Sequence, residues 1–219
     1  MSVLASMDWV LPEAPYDMWA RGELAEYLHL PKDGTRVEIV GGVVSVSPGP
    51  DIDHAAIVSD IQEGLIIAKV ASADFPWRAL QGTDLNLIEI GDGYIPDLTV
   101  LHHEILTKAR ASRAKHVFPY QLQLAVEVTS PSNARKDREP VVGKEQRLTK
   151  WSGYARTGVQ WYLLVDRDPR SLGITLYAEP DQGTGRYQVH STWKFGEAVM
   201  LPEPLNFRFT TELWQPWAD

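Results

Sequence analysis

A mixed α/β domain with one central sheet is what this sequence predicts, from three observations. "VQWYLLVD" (159–166) is apolar on both parities, as a strand covered on both faces is. Helical stripes flank the β-rich stretches, Ile57, Ile61, Leu65 and Ala68 in one and Leu148, Trp151 and Ala155 in the other. Most of the remainder is short β segments punctuated by turn residues. Strand, hairpin, helix, strands, helix, strand in that order describes helices flanking a sheet. At 219 residues, with 44% hydrophobic and 23% charged, the chain suits one domain over 1–219. Its expected core spans about 16–178, with a C-terminal β extension over 179–219.

The elements follow in chain order. Pro12, Pro15 and Pro31 bracket a helix-compatible stretch, Tyr16 to Leu30. "RVEIVGGVVSVSP" (36–48) reads as a hairpin closed by Gly41-Gly42. Asp51 or Asp53 is placed to cap a helix through residues 54–71. Strands are expected at 77–81, 84–90 and 94–101, with the Gly-Asp-Gly of 91–93 as the turn between the last two. Residues 102–119 are polar and basic, a loop or short helix. A strand at 121–129 runs into Ser-Pro-Ser-Asn punctuation, and a helix is expected from Lys144 to Thr157, ended by Gly158. After the strand at 159–166, "ITLYAE", "RYQVHSTW" and "LNFRF" form a peripheral β meander.

Composition excludes several classes. Without cysteine there are no disulfides, thiolate zinc sites or cysteine nucleophiles. No apolar run approaches the roughly 18 residues that cross a bilayer. The first residues lack the basic and apolar regions of a signal peptide, so a cytoplasmic location and no membrane partner are expected. The net charge is −8, so contact with a nucleic acid would be confined to two basic islands, 108–116 and 135–150. Trp77, Trp151, Trp161 and Trp193 are expected in a core or interface rather than as base-stacking platforms.

Two carboxylates sit where charge is costly. Glu127 lies one residue before the apolar end of the strand at 121–128, on the face of Gln121, Gln123 and Ala125. Asp97 follows Pro96 inside "YIPDLTVL", where a proline argues for an edge or a bulge. If the strands pair, two carboxylates meet and repel, unless a hard divalent cation such as Mg²⁺ takes their oxygens. Alternatively each acid caps a strand end or meets an arginine. Lys150, in the helix after the strand, is placed to supply a cation to such a site, with Lys144 and Lys136 as competitors. His102-His103 follow the Asp97 strand and read as surface residues; His54 in a first helical turn reads as a capping or packing residue.

The motifs resemble the Uma2 family of the restriction-endonuclease-like PD-(D/E)XK superfamily. Carrying the resemblance are Pro96-Asp97, then Glu127-Val128-Thr129-Ser130-Pro131-Ser132, then Lys150 with Tyr154-Ala155 and Gly158-Val159, then Tyr162 to Asp166. Upstream, Glu38, Gly42 and His54 match the family's hairpin and following histidine. The resemblance implies a central mixed sheet flanked by helices, with Asp97, Glu127 and the Val128 backbone carbonyl as ligands of Mg²⁺, for which Mn²⁺ is a substitute. It implies that Lys150 takes the lysine role and that Glu38 adds a further acid. Two departures stand out. The superfamily's usual lysine, two residues after the glutamate, is replaced by Thr129, and the family's short Asp-x-x-x-Lys link is stretched between Asp137 and Lys150.

The implied activity is a Mg²⁺-dependent endonuclease or phosphodiesterase acting on nucleic acid, compatible with a homodimer where both strands of a duplex are cut. The first rival is a catalytically silent nuclease-fold protein that binds nucleic acid or a protein. The second is a metal-free carboxylate-pair hydrolase such as a glycosidase, which gives Lys150 no duty.

Overall fold

Glycines at 41 and 42 close the first hairpin with positive φ of 61° and 73°, a turn geometry that side chains disfavour. The structure, a computed structural model, describes residues 10–141 and 148–218. Before the hairpin, the expected helix over 16–30 is two short ones, α1 (Pro15–Arg21) and α2 (Leu24–Tyr27), broken at Gly22. Met18, Trp19, Leu24 and Leu28 pack against Val37 and Ile39 of β1 (Arg36–Val40), which pairs with β2 (Val43–Ser47).

The Asp51 carboxylate accepts from the His54 amide at 2.7 Å and caps α3 (Ile52–Ala71). Next come β3 (Trp77–Leu80), β4 (Leu85–Leu87) and β5 (Asp92–Tyr94). β4 is shorter than expected because Ile88–Ile90 winds into a 3₁₀ turn, and Asp92 and Gly93 belong to the strand rather than the turn. Asp92 is fully buried. Its carboxylate accepts from the Gly41 and Gly42 amides at 2.8 and 2.9 Å and from the Tyr94 hydroxyl at 2.7 Å.

The run expected as one strand over 94–101 is divided between two sheets. β5 belongs to a four-stranded antiparallel sheet, β2-β1-β5-β4, whereas β6 (Leu98–His102) belongs to a six-stranded one. Pro96, which lacks a backbone donor, stands at the crossing between them. Beyond β6, residues 103–112 form a helix, α4 (His103–Ser112), and β7 (Leu122–Val128) follows. Then come α5 (Ala134–Asp137), α6 (Lys150–Arg156) and β8 (Trp161–Asp166). The described part of the last helix starts at Lys150, not Lys144; residues 144–147 lie outside the described residues.

The meander runs along the edge of the larger sheet. β9 (Gly173–Asp181) and β10 (Arg186–Trp193) extend it to the order β10-β9-β8-β7-β6-β3, in which β7 and β8 are parallel and the other neighbours antiparallel. A small pair, β11 (Val199–Met200) and β12 (Arg208–Phe209), packs on α3. From Leu124 onward, alternate residues of β7 enter different cores. Leu124, Val126 and Val128 join Ile57, Ile61 and Leu65 of α3; Ala125 joins Trp151, Tyr154 and Ala155 of α6. Among the described residues, no helix is long and apolar enough to cross a membrane.

Asp92 is the fastening of the hairpin that carries Glu38. Replacing Asp92 by Ala strands two amides and a buried hydroxyl, and the expected loss is roughly 2–4 kcal/mol. Urea unfolding checks this, and an unchanged midpoint rules it out.

Candidate active site

Strand register brings the two conspicuous carboxylates together. Leu98 of β6 lies opposite Val126 of β7, and one further step sets Asp97 beside Glu127. Asp97 stands where the chain crosses from one sheet to the other, 5% exposed. The Arg36 guanidinium donates to its Oδ1 at 2.8 Å and the Val128 amide to its Oδ2 at 2.9 Å. His54 Nε2 lies 3.0 Å from Oδ1, a close contact in which the ring is not aligned for a hydrogen bond. Asp97 thus meets an arginine, one of the alternatives open to the sequence, while also standing next to Glu127.

The sequence of α6 places Lys150 at the first helical position. Thr149 caps the helix: its hydroxyl accepts from the Ser152 amide while the Ser152 hydroxyl accepts from the Thr149 amide. Glycine at 153 lets the helix approach the β5 end, for a Cβ there would stand 2.1 Å from the Tyr94 hydroxyl. The Lys150 ammonium, 3% exposed, donates to Glu127 Oε1 at 3.0 Å and stands 2.7 Å from Glu38 Oε1. One turn on, the Tyr154 hydroxyl donates to the same Glu127 oxygen at 2.6 Å. Glu38 also accepts from the Ile95 amide at 2.6 Å, which ties β1 to the crossing beside Asp97.

A fourth carboxylate, absent from the residues singled out by sequence, completes the cluster. Asp137, at the end of α5, has no measurable exposure, and neither of its oxygens has a hydrogen-bond partner among the described residues. Lys150 Nζ is 3.9 Å from it. The one sequence signal was the stretched Asp-x-x-x-Lys link, which names Asp137 but says nothing of its burial.

The electrostatics follow from this crowding. Burial would raise the Asp97 carboxyl, but the His54 and Arg36 contacts and the Val128 amide outweigh it and hold it down at about 2. Burial raises Glu127 well above the usual range, helped by the charges of Asp137, Asp97 and Glu38 and opposed by Lys150. Asp137 is pushed up to about 7, by burial first and also by Glu38 and Asp97, with Lys150 opposing. For Lys150, burial pulls the other way, but Glu127, Glu38 and Asp137 overcome it, so the ammonium stays charged far above neutral pH.

The donor type, carboxylate oxygen, suits a hard divalent cation, which takes such oxygens in small numbers with water. Glu38, Asp97, Glu127 and Asp137 face Lys150 and Arg36, with Lys136 near Glu38 and Asp137, but no three of these acids bring ligand atoms within 4.8 Å of one another among the described residues.

The other sequence candidates lie elsewhere. The Lys136 ammonium donates to the Ser45 hydroxyl at 2.6 Å, beside the cluster rather than in it. Lys144 lies outside the described residues. Thr129, where the superfamily lysine would stand, is fully buried; its hydroxyl donates to Asp166 at 3.1 Å and accepts from the Arg167 amide at 2.9 Å. That position fastens β7 to the end of β8. His102, His103 and Glu104 bring three donor atoms within 4.8 Å of one another, with His103 and Glu104 exposed. They sit at the other end of β6 from Asp97, where the Glu104 amide already donates to His102 Nδ1 at 3.3 Å. Lys108, Arg110, Arg113 and Lys115, in α4 and just after it, are exposed. Trp77 and Trp151 are buried, and Trp161 and Trp193 pack half-buried against the core.

This is the arrangement of a nuclease-type fold: a mixed sheet flanked by helices, with acids at the ends of two paired central strands and a lysine from the neighbouring helix. A family model described as "Putative restriction endonuclease" (Uma2) matches residues 24–213, and the chain belongs to the Uma2 family. Among solved structures it is similar to one titled a "putative nuclease belonging to DUF820" from Anabaena variabilis. The two are 19% identical with a TM-score of 0.54, over 81% of this chain and 87% of that one. No curated protein matches.

The raised acids set a pH dependence. Asp137 binds its proton more tightly folded (about 7) than in its ordinary state (3.8), so its stabilising share is complete below about pH 4 and is lost as pH rises toward 7. Asp97 works in the opposite direction, its share present above 3.8 and lost as pH falls toward 2. In excess EDTA, chemical denaturation should find the protein a few kcal/mol less stable at pH 7.5 than at pH 5. Asp137→Asn should flatten that decline; a variant with the wild-type slope excludes the assignment.

Proposed function

We propose that this protein is a divalent-metal-dependent phosphodiesterase of nuclease type that cleaves nucleic acid, with Mg²⁺ as the metal and Mn²⁺ as a substitute. The observation that carries the reading is the juxtaposition of Asp97 and Glu127 at a junction of two sheets, with a charged lysine against Glu127. Membership of the Uma2 family supports it. Asp97 and Glu127 would hold the cation, with the Val128 carbonyl as a further oxygen. A divalent cation there supplies a Lewis acid for the phosphoryl group and makes water acidic enough to attack near neutral pH.

The chain's own residues do the rest. Arg36 and the Val128 amide fix the Asp97 carboxylate, and Tyr154 fixes that of Glu127. Lys150, protonated throughout the working range, stabilises the negative charge that builds on the phosphoryl oxygens, and it takes no proton from water. Glu38 holds the ammonium in place, and His54 abuts Asp97 as a positioning residue. We place the protein in the cytoplasm, and a homodimer would supply one site for each strand of a duplex.

One observation favours the silent alternative: Asp97 and Glu127 already have close cationic partners within the chain, so the cluster can persist as a structural ion network. Cleavage assays on labelled DNA and RNA with Mg²⁺ or Mn²⁺, run beside calorimetric metal titration, separate the two. The expected result is cleavage by the wild type, lowered about 100-fold or more in Glu127→Ala and Asp97→Asn together with weaker metal binding. Lys150→Gln should lose cleavage while still binding metal. Metal binding that disappears in Glu127→Ala, with no cleavage of any substrate by the wild type, would establish a binding module. Cleavage that persists in excess EDTA would refute the metal.

A further inference from the structure

The hairpin of β1 and β2 has one apolar face and one polar face. Val37, Ile39, Val44 and Val46 pack with α1 and α2. The alternate residues Arg36 and Glu38, directly across from Ser47 and Ser45, therefore share the other face. Glu38 and Ser45 are buried on it, whereas Arg36 and Ser47 are half-buried. Lys136 of α5, also half-buried, reaches this face, where its ammonium donates to the Ser45 hydroxyl at 2.6 Å. That contact lies next to the candidate site, since Ser45 stands opposite Glu38 and Glu38 meets Lys150.

Of Lys150, Arg36 and Lys136, only the last has no carboxylate in ion-pair contact among the described residues. Lys150 stands within 3.0 Å of two carboxylates, and Arg36 is bonded to Asp97 at 2.8 Å. A neutral hydroxyl takes one of the three donors of Lys136. An ammonium drawn partly out of water without a counter-ion is costly, and burial lowers its pKa against the opposing pull of Glu38 and Asp137. The Ser45 hydroxyl accepts from the lysine and keeps its own hydrogen to donate. Lysine ammonium and serine hydroxyl are both donors that bind phosphate oxygens.

A nucleic acid carries a charge at every nucleotide. A strand whose reacting phosphate met Asp97 and Glu127 would bring its neighbouring phosphates past the same hairpin. With a net charge of −8, the chain can neutralise them only through local cations. Lys136 belongs to one of its two basic islands, 135–150. We propose that Lys136 binds a backbone phosphate adjacent to the one that reacts, with Ser45 holding the ammonium in position; this rests on the reading above that the site takes nucleic acid.

The test is binding of fluorescein-labelled DNA and RNA oligonucleotides, single- and double-stranded, to the intact chain. Anisotropy is followed across a salt series, with Ca²⁺ in place of Mg²⁺ to hold back cleavage. Lys136→Gln should weaken binding at least about threefold at low salt and lower the slope of log affinity on log salt by about one. Lys136→Met serves should that variant fail to fold. Lys136→Arg should keep the slope, and Ser45→Ala should weaken binding with the slope unchanged. Equal affinity and slope in wild type and Lys136→Gln would overturn the assignment while leaving the nuclease reading intact. An equal loss in Lys136→Gln and Lys136→Arg at the wild-type slope would also overturn it, marking Lys136 as a packing residue. The expected binding without cleavage in Mg²⁺ would overturn the nuclease reading and uphold the assignment. A wild type that binds none of the oligonucleotides would overturn both.

Discussion

A buried ammonium links the two sheets of this structure at the candidate site. Lys150 enters from α6 and stands within 3.0 Å of Glu38 on β1 and of Glu127 on β7, so one charge joins the smaller sheet to the larger. Taking an ammonium and a carboxylate out of water costs several kcal/mol each, offset only when geometry and extra hydrogen bonds are good. Here they are supplied by the Tyr154 hydroxyl to Glu127 and the Ile95 amide to Glu38. Apolar packing spans the same junction: Val40, Leu87 and Tyr94 of the smaller sheet share one cluster with Ala125 of β7 and with Trp151 and Tyr154 of α6. The charge adds to that packing a polar link between β1 and β7 at the candidate site.

The second constraint is the sheet crossing at Pro96. A run that looks like one strand serves two sheets, and the residues between β5 and β6 are those that touch the site: the Ile95 amide binds Glu38 and the Asp97 carboxylate binds Arg36. Proline marks the change because it cannot continue a ladder on its N–H side. The same feature that interrupts regular structure thus places Asp97 at the junction where Glu38 of the smaller sheet and Glu127 of the larger one meet Lys150.

Much of this was legible in the sequence. The hairpin, the long helix and its Asp51 cap, the strands around 122–128 and 161–166, and the Asp97–Glu127–Lys150 grouping each left a local mark: paired glycines, an Asx residue before an apolar stripe, or a charge inside a β-run. Features created by distant contacts left none. The split of 94–101 between sheets depends on which partner each half finds. The burial of Asp137 depends on how α5 folds back under Tyr162, over twenty residues away in sequence. Even the break at Gly22, a local event, was masked by apolar spacing that continues through it.

The location of the lysine follows from the same geometry. Two residues beyond Glu127, a side chain faces the end of β8, where Thr129 is bound to Asp166 and the Arg167 amide and Arg138 closes over Asp166 from outside. A lysine there would bring a long cation into a fully buried hydroxyl's place and displace those bonds. From α6 the cation arrives instead across the face of the sheet, between Glu38 and Glu127. Lys150 and Arg36 then face four carboxylates, with Lys136 near Glu38 and Asp137, so the acids outnumber the cations around them. On the proposed metal-dependent reading, a divalent cation would offset the remaining charge with Lys150 still in place. On that reading lysine and metal would not compete for the site, each offsetting part of the same carboxylate charge.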